Sequence, residues 1–184
     1  MPYKICVLVG SLREGSFNRR LAEGLIRVPE AREHEFVFAD LGSLPLYDQD
    51  QDDAPPPTVE ALRDLVRGSD ALLFVTPEYN RSIPGVLKNA IDHGSRPYGQ
   101  SVWAGKPAAV IGTSPGQIGT ALAQSHLRMV LAYLDVPLMD QPEAYIQWKD
   151  DLVAPDHTIA EASREFLSKW MASFFTFVET HLRP

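Results

Sequence analysis

The chain has 184 residues and one cysteine, so neither a disulfide framework nor a cysteine-built metal site is available to it. Cys6 falls inside the apolar run Ile5-Cys6-Val7-Leu8-Val9, where a buried, inert thiol is expected. That usage suits a reducing compartment. Long hydrophobic runs are also missing: none approaches the roughly 18 residues of a membrane span, and the N-terminus lacks signal-peptide anatomy. A soluble, cytoplasmic protein is expected. There is no basic surplus either, since 17 Lys and Arg against 24 Asp and Glu leave a formal charge of -7. This argues against nucleic acid or an anionic membrane as the main partner, although a local cradle can still hold a small anion. His34, His93, His126, His157 and His181 show no metal-ligand spacing, and the carboxylates from Asp48 to Asp53 lack the glycine and glutamate of an EF-hand loop. No metal is expected.

What is present begins with Val9-Gly10-Ser11-Leu12-Arg13-Glu14-Gly15-Ser16-Phe17-Asn18, which leads from the apolar run into a helical pattern. A strand-to-helix turn of this kind points free backbone N–H groups at one spot, and the helix dipole adds roughly half a positive charge. Ser11, Ser16 and Asn18 add neutral donors, and Arg13 a cation. An ordinary turn with Ser16 or Asn18 as helix cap would not account for Ser11 and Arg13 as well. The type of phosphate is narrowed by further absences. Gly10 to Gly15 has P-loop spacing, yet Ser16 stands where the lysine is required. Leu12 occupies the second glycine of a dinucleotide fingerprint, which occurs nowhere else in the chain. A single terminal phosphate is the best match.

Along the chain, Leu21, Leu25, Ile26 and Val28 mark a first helix ending near Pro29, and Glu35 to Ala39 reads as a short strand. A long connection from Leu41 to Pro57 follows. Thr58 to Gly68 reads as a helix, Ala71 to Thr76 as a strand buried on both sides, and the stretch through Ile91 as a third helix. Pro107 to Thr113 is a fourth strand and Leu122 to Leu134 a fourth helix. Pro137 to Met139 reads as a short fifth strand, and Thr158 to His181 as the last helix. The aromatic residues of that helix, Phe166, Trp170, Phe174 and Phe177, suit either the core or an interface. The alternation implies one domain over residues 1–184: an α/β doubly wound five-stranded parallel sheet, order 2-1-3-4-5, with helices on both faces. Ligands of such sheets sit beyond the strands' carboxyl ends at the switch point. There the loop after strand 1 would meet the loop from Pro77 after strand 3, bordered by the loop from Ser114 after strand 4.

With those three loops placed, the chain resembles the NADPH-dependent FMN reductase family, flavodoxin-like proteins that include bacterial chromate, quinone and azo reductases. The resemblance rests on Gly10-Ser11-Leu12-Arg13 with Ser16-Phe17-Asn18, on Thr76-Pro77-Glu78-Tyr79-Asn80 with Pro84-Gly85, on Leu87-Lys88-Asn89-Ala90-Ile91-Asp92, and on Ala104-Gly105-Lys106-Pro107. It implies FMN, with the phosphate at Ser11, Arg13, Ser16, Phe17 and Asn18. The isoalloxazine ring would lie along Pro77, Glu78, Tyr79 and Asn80 and near Ser114, Gly116 and Gln117. It also implies NADPH or NADH as reductant, a small-molecule acceptor, and a homodimer or homotetramer. His93 departs from the family pattern, since relatives often carry an aromatic residue there. The cofactor carries the chemistry, so no catalytic acid, base or nucleophile is required.

Two rival readings remain at this stage. Gly112-Thr113-Ser114-Pro115-Gly116 matches the G-x-S-x-G elbow of serine hydrolases, but the residue after the nucleophile must donate its N–H to the oxyanion and Pro115 has none. The other is a flavodoxin-type electron carrier without its own NADPH site. Carriers commonly cover the flavin with a tryptophan, and Trp103, Trp148 and Trp170 lie outside the two loops that flank the proposed ring.

Overall fold

The computed structural model describes residues 2–182. Five strands, Lys4–Val9 (β1), Glu35–Phe38 (β2), Ala71–Val75 (β3), Ala108–Ser114 (β4) and Tyr145–Gln147 (β5), form one sheet in the order β2-β1-β3-β4-β5. Every pairing is parallel. The helices are Phe17–Leu25 (α1), Pro57–Arg67 (α2), Gly85–Gly94 (α3), Ala121–Tyr133 (α4) and Glu161–Leu182 (α5). The expected order and layering are therefore observed.

The apolar runs of β1, β3 and β4 are continuous because both faces of the sheet are covered. Side chains alternate along β1. Ile5, Val7 and Val9 pack with Leu21 and Leu25 of α1 and with Leu167, Trp170 and Phe174 of α5. Cys6 and Leu8 point the other way, into a cluster with Leu62 and Val66 of α2, Leu87 and Ile91 of α3, and Leu127 and Leu131 of α4. Each fully buried aliphatic side chain of this kind stabilises the fold by about 1.5–3 kcal/mol. In α5, Trp170 and Phe174 belong to the core, Phe177 packs against its edge and Phe166 is exposed.

The fifth strand is not at 137–139. That segment does run beside β4, where Leu138 forms an isolated parallel bridge with Ala108: the Ala108 N–H donates to Pro137 O at 2.8 Å, and the Met139 N–H to Ala108 O at 2.9 Å. The pairing stops there, short of Pro142, which has no N–H to donate. The chain rejoins the same lane at 145–147, opposite Gly112–Ser114. This edge strand offers only Ile146 to the interior, so its apolar signal is weak. The last helix also starts later than expected. The Thr158 N–H is bonded to the Asp156 carboxylate at 2.9 Å and the Ala160 N–H to Leu152 O at 3.0 Å, which holds this approach in loop geometry until Glu161.

The long connection before α2 is tied to α3. Asn89 donates to Pro45 O and accepts from the Tyr47 N–H, both at 2.8 Å, while Nε2 of the buried His93 lies 2.9 Å from Pro45 O. His93 is thus an anchor for this connection.

Candidate functional site

The loops after β1, β3 and β4 close around a cavity of about 230 Å³ at the carboxyl edge of the sheet. Its lining includes Ser11, Arg13, Ser16, Phe17, Asn18, Pro77, Glu78, Tyr79 and Ser114 of the expected set, together with Thr113 and Pro115. Asn80, Gly116 and Gln117 stand outside that lining and are exposed on the loops beside it.

In the first loop, Ser16 is the N-cap of α1, its hydroxyl accepting from the Arg19 N–H at 3.2 Å. The N–H groups of Phe17 and Asn18 occupy the first helical positions, where the helix supplies no acceptor. Asn18 is buried, and its carboxamide bridges to β4: Nδ2 donates to Thr113 O at 2.9 Å and Oδ1 accepts from the Thr113 N–H at 3.0 Å. The side chain thereby fixes the start of α1 to the end of β4. Arg13 places its guanidinium carbon 4.5 Å from the Phe17 ring centre and bonds Gly15 O. Among the described residues it is the only cation in the cavity lining.

In the second loop, the backbones of Tyr79 and Ser82 exchange hydrogen bonds of 3.0 Å each around Asn80 and Arg81, both at positive φ (51° and 66°). That is the geometry of a type I′ turn, which an asparagine tolerates and an arginine adopts at a cost. Glu78 explains how the turn is held. One carboxylate oxygen accepts from the N–H groups of Leu122 and Ala123 at 3.0 and 3.2 Å, in the first turn of α4, and the other lies 3.2 Å from the Arg81 guanidinium. Thr120, at the N-cap of α4, makes no side-chain cap bond, so Glu78 caps that helix from across the site. The Glu78 side chain is only 8% exposed, whereas Tyr79 is 49% exposed.

Two glycines, Gly112 within β4 and Gly119 at the far end of the third loop, leave no room for a larger residue. A Cβ on Gly112 would lie 2.1 Å from Thr76 O, and one on Gly119, at φ +62°, would lie 2.7 Å from the Tyr145 carbonyl carbon. The Ser114 hydroxyl donates to Gly119 O and, at 3.4 Å, to Gly116 O. Among the described residues, the histidine that bonds a serine hydroxyl is His126, and its partner is Ser82 at 3.0 Å. With Pro115 following Ser114, the elbow has neither base nor oxyanion donor. Trp148 also arrives here, because the true β5 ends beside it: its N–H donates to Ser114 O at 2.8 Å and its ring stacks on Phe17 at 4.5 Å. From sequence, Trp148 could reach the site only through the irregular stretch after Met139, and that stretch contains β5. With β5 at 145–147, the rule that ligands meet strand carboxyl ends would have singled it out.

The arrangement fits a mononucleotide phosphate. Free N–H groups at the α1 terminus, hydroxyls of Ser11 and Ser16, and the Arg13 cation converge on one cavity. Thr113 lines it as well, and its Oγ1 is buried without a partner among the described residues. The volume is below that of an enclosed drug-sized pocket, so a mononucleotide lying here would extend over the open rim at Tyr79, Gly116 and Gln117.

Fold and cavity together define a flavodoxin-like α/β protein with a candidate site at the switch point of the sheet. The chain belongs to the NADPH-dependent FMN reductase family, whose model matches residues 3–150. It is 51% identical to a 2-hydroxy-1,4-benzoquinone reductase of Burkholderia sp over 97% of both chains. A quinone reductase of Pseudomonas putida is 47% identical over 96% of this chain and 95% of its own. Among solved structures, the flavoenzyme NAD(P)H:(acceptor) oxidoreductase FerB from Paracoccus denitrificans superposes with a TM-score of 0.93 at 46% identity, covering 97% of this chain and 98% of that one.

Proposed function

We propose that this chain is an NAD(P)H-dependent, FMN-containing oxidoreductase whose main acceptors are quinones, with chromate and azo compounds as further acceptors. The observation that carries it is the meeting of the β1, β3 and β4 loops around one phosphate-type cradle in a chain of this family. The relatives named as quinone reductases support the choice of acceptor.

In this reading the backbone N–H groups of Phe17 and Asn18, the hydroxyls of Ser11 and Ser16, and Arg13 hold the phosphate. Pro77, Tyr79 and Asn80 on one side and Ser114, Gly116 and Gln117 on the other flank the ring, and Glu78 acts from behind by fixing the loop. The chemistry FMN supplies when bound is acceptance of a hydride from NAD(P)H and its delivery to the acceptor. The chain's own part is to orient. Exposed Tyr79 borders the open face, where reductant and acceptor would bind in turn, and the N–H groups of Gly116 and Gln117 would meet the electron-rich edge of the ring.

The residues act as one domain, the active form is a homodimer or homotetramer, and the site of action is the cytoplasm. Light scattering at micromolar concentration tests the assembly, and a mass near the 20.4 kDa of one chain would contradict it. The function itself is tested by following NADPH and NADH oxidation by the purified, FMN-loaded protein with benzoquinone as acceptor. Sustained turnover is expected. Bound FMN with no oxidation of either nucleotide would make the chain an electron carrier, and release of FAD in place of FMN would overturn the cofactor assignment.

A further inference from the structure

Four side chains beside the cradle form a layered stack. The Arg13 guanidinium carbon lies 4.5 Å from the Phe17 ring centre, and the Trp148 ring lies 4.5 Å from the same centre at an interplanar angle of 18°. Two bodies that close to one ring cannot share a face, so Arg13 and Trp148 hold opposite faces of Phe17. The Arg20 guanidinium carbon lies 4.9 Å from the Trp148 ring centre, and Phe17 already covers the other face of that indole. The order is therefore Arg13, Phe17, Trp148, Arg20. Arg13, at the end of the stack, is exposed and lines the cavity.

Trp148 is almost fully buried, yet its indole Nε1 has no hydrogen-bond partner among the described residues. Buried tryptophans usually find an acceptor for that N–H. The contacts the Trp148 ring does make are with Phe17, stacked at 4.5 Å, and with the Arg20 guanidinium, 4.9 Å from the ring centre. Leu152 and Val153 pack around Trp148, Arg20 bonds Val153 O, and the Trp148 N–H is fixed to Ser114 O at 2.8 Å. The indole is thus held from several sides and forms a rigid floor for Phe17.

We propose that Trp148 is a positioning residue for cofactor capture: it holds the Phe17 ring as a platform that keeps the Arg13 guanidinium at the cradle before the phosphate arrives. An arginine free in solution loses side-chain entropy when it meets an anion, and stacking on an aromatic face reduces that loss in advance. The proposal rests on the reading that Arg13 meets the phosphate of FMN, and its signature is specific to that phosphate.

The test titrates the flavin-free wild-type protein and the variants Trp148→Phe, Trp148→Ala, Trp148→Leu, Arg13→Ala and Arg13→Ala/Trp148→Ala. FMN and riboflavin are the two ligands, the second presenting the same ring without a phosphate. Loss of a cation–aromatic platform weakens FMN binding by about threefold to tenfold in Trp148→Ala and Trp148→Leu, with riboflavin within about twofold. Trp148→Phe retains a ring face and stays close to wild type. In the Arg13→Ala background, Trp148→Ala has no further effect. Equal losses for both ligands, or independent losses in the double variant, overturn the proposal. If Trp148→Ala fails to fold, Trp148→Leu carries the comparison, since it fills space without a ring face. A wild type that binds riboflavin as tightly as FMN would instead refute the phosphate reading, a result visible before any variant is compared.

Discussion

Replacing Glu78 tests whether the protein itself, in the absence of ligand, fixes the geometry of the ring-flanking loops. In Glu78→Ala the Leu122 and Ala123 N–H groups lose a carboxylate partner at 3.0 and 3.2 Å, and α4 loses the negative charge at its N-terminus. A hydrogen bond to a charged group contributes about 1.5–3 kcal/mol, and a charge at a helix terminus about 0.3–1 kcal/mol. These terms overlap because one oxygen supplies both. The Arg81 pair adds little, since that arginine is 64% exposed. Glu78→Ala should therefore destabilise by about 2–3 kcal/mol, which for a chain of this size lowers Tm by roughly 4–12 °C. Glu78→Gln keeps an acceptor and should lose about half as much. The assay is thermal unfolding with and without FMN, combined with amide exchange at Leu122 and Ala123, which should quicken about tenfold or more for a loss of that size. Unfolding within about 0.5 kcal/mol of wild type, with unchanged exchange at both amides, would refute the capping role. A loss seen only with FMN present would make the carboxylate a cofactor contact.

Asn18→Ala leaves the buried N–H and carbonyl of Thr113 without their partners, at a cost of about 2–4 kcal/mol in denaturant unfolding; no loss would mean that the bridge is not formed. Arg13→Ala should weaken FMN about tenfold to a hundredfold while flavin reduction in fully loaded enzyme changes little, as read by fluorescence titration and rapid mixing. Cys6 is held protonated by burial, which pushes its thiol to about 12 against an opposing pull from Lys106. Because the unfolded thiol ionises near 9.0 and the folded one near 12, its contribution to stability is complete below the lower value and declines across that interval, by up to about 1.4 kcal/mol per pH unit. Cys6→Ala should remove that component from the alkaline stability profile, and coincident profiles for the two proteins would contradict the burial argument.

The layered fold was legible because β1, β3 and β4 are buried on both faces and so carry continuous apolar runs, which Gly, Pro and charged turns punctuate. β5 was not, because Tyr145 and Gln147 face solvent and the more apolar Pro137–Met139 occupies the same lane with only one bridge. At the site, residue types and spacing identified the loops, while the roles of side chains depended on partners distant in sequence. Asn18 reads as a phosphate donor until Thr113, 95 positions away, is seen to engage its carboxamide. Glu78 reads as a loop residue until the amides at the head of α4 appear 44 and 45 positions later. Pair contacts of that separation leave no local pattern.

Those distant ties bear on how the site works. Asn18 joins the first loop to β4, Glu78 joins the second loop to α4, and the Trp148 N–H joins the third loop to the chain beyond β5. Each is made by protein groups alone, so the cradle does not depend on a ligand to order it, and little of the binding energy is lost to arranging loops. In the proposed reading affinity is concentrated on the phosphate end, where donors and the Arg13 cation line the cavity. The opposite end, at Tyr79, Gly116 and Gln117, is exposed and supplies few fixed polar groups. A site built to hydrogen-bond one substrate rejects analogues strongly, whereas an open, solvent-exposed rim distinguishes acceptors weakly. Selection among acceptors would accordingly follow their size, flatness and reduction potential more than any matched side chain, which is the behaviour expected when one rigid scaffold holds a cofactor that meets reductant and acceptor at the same open face.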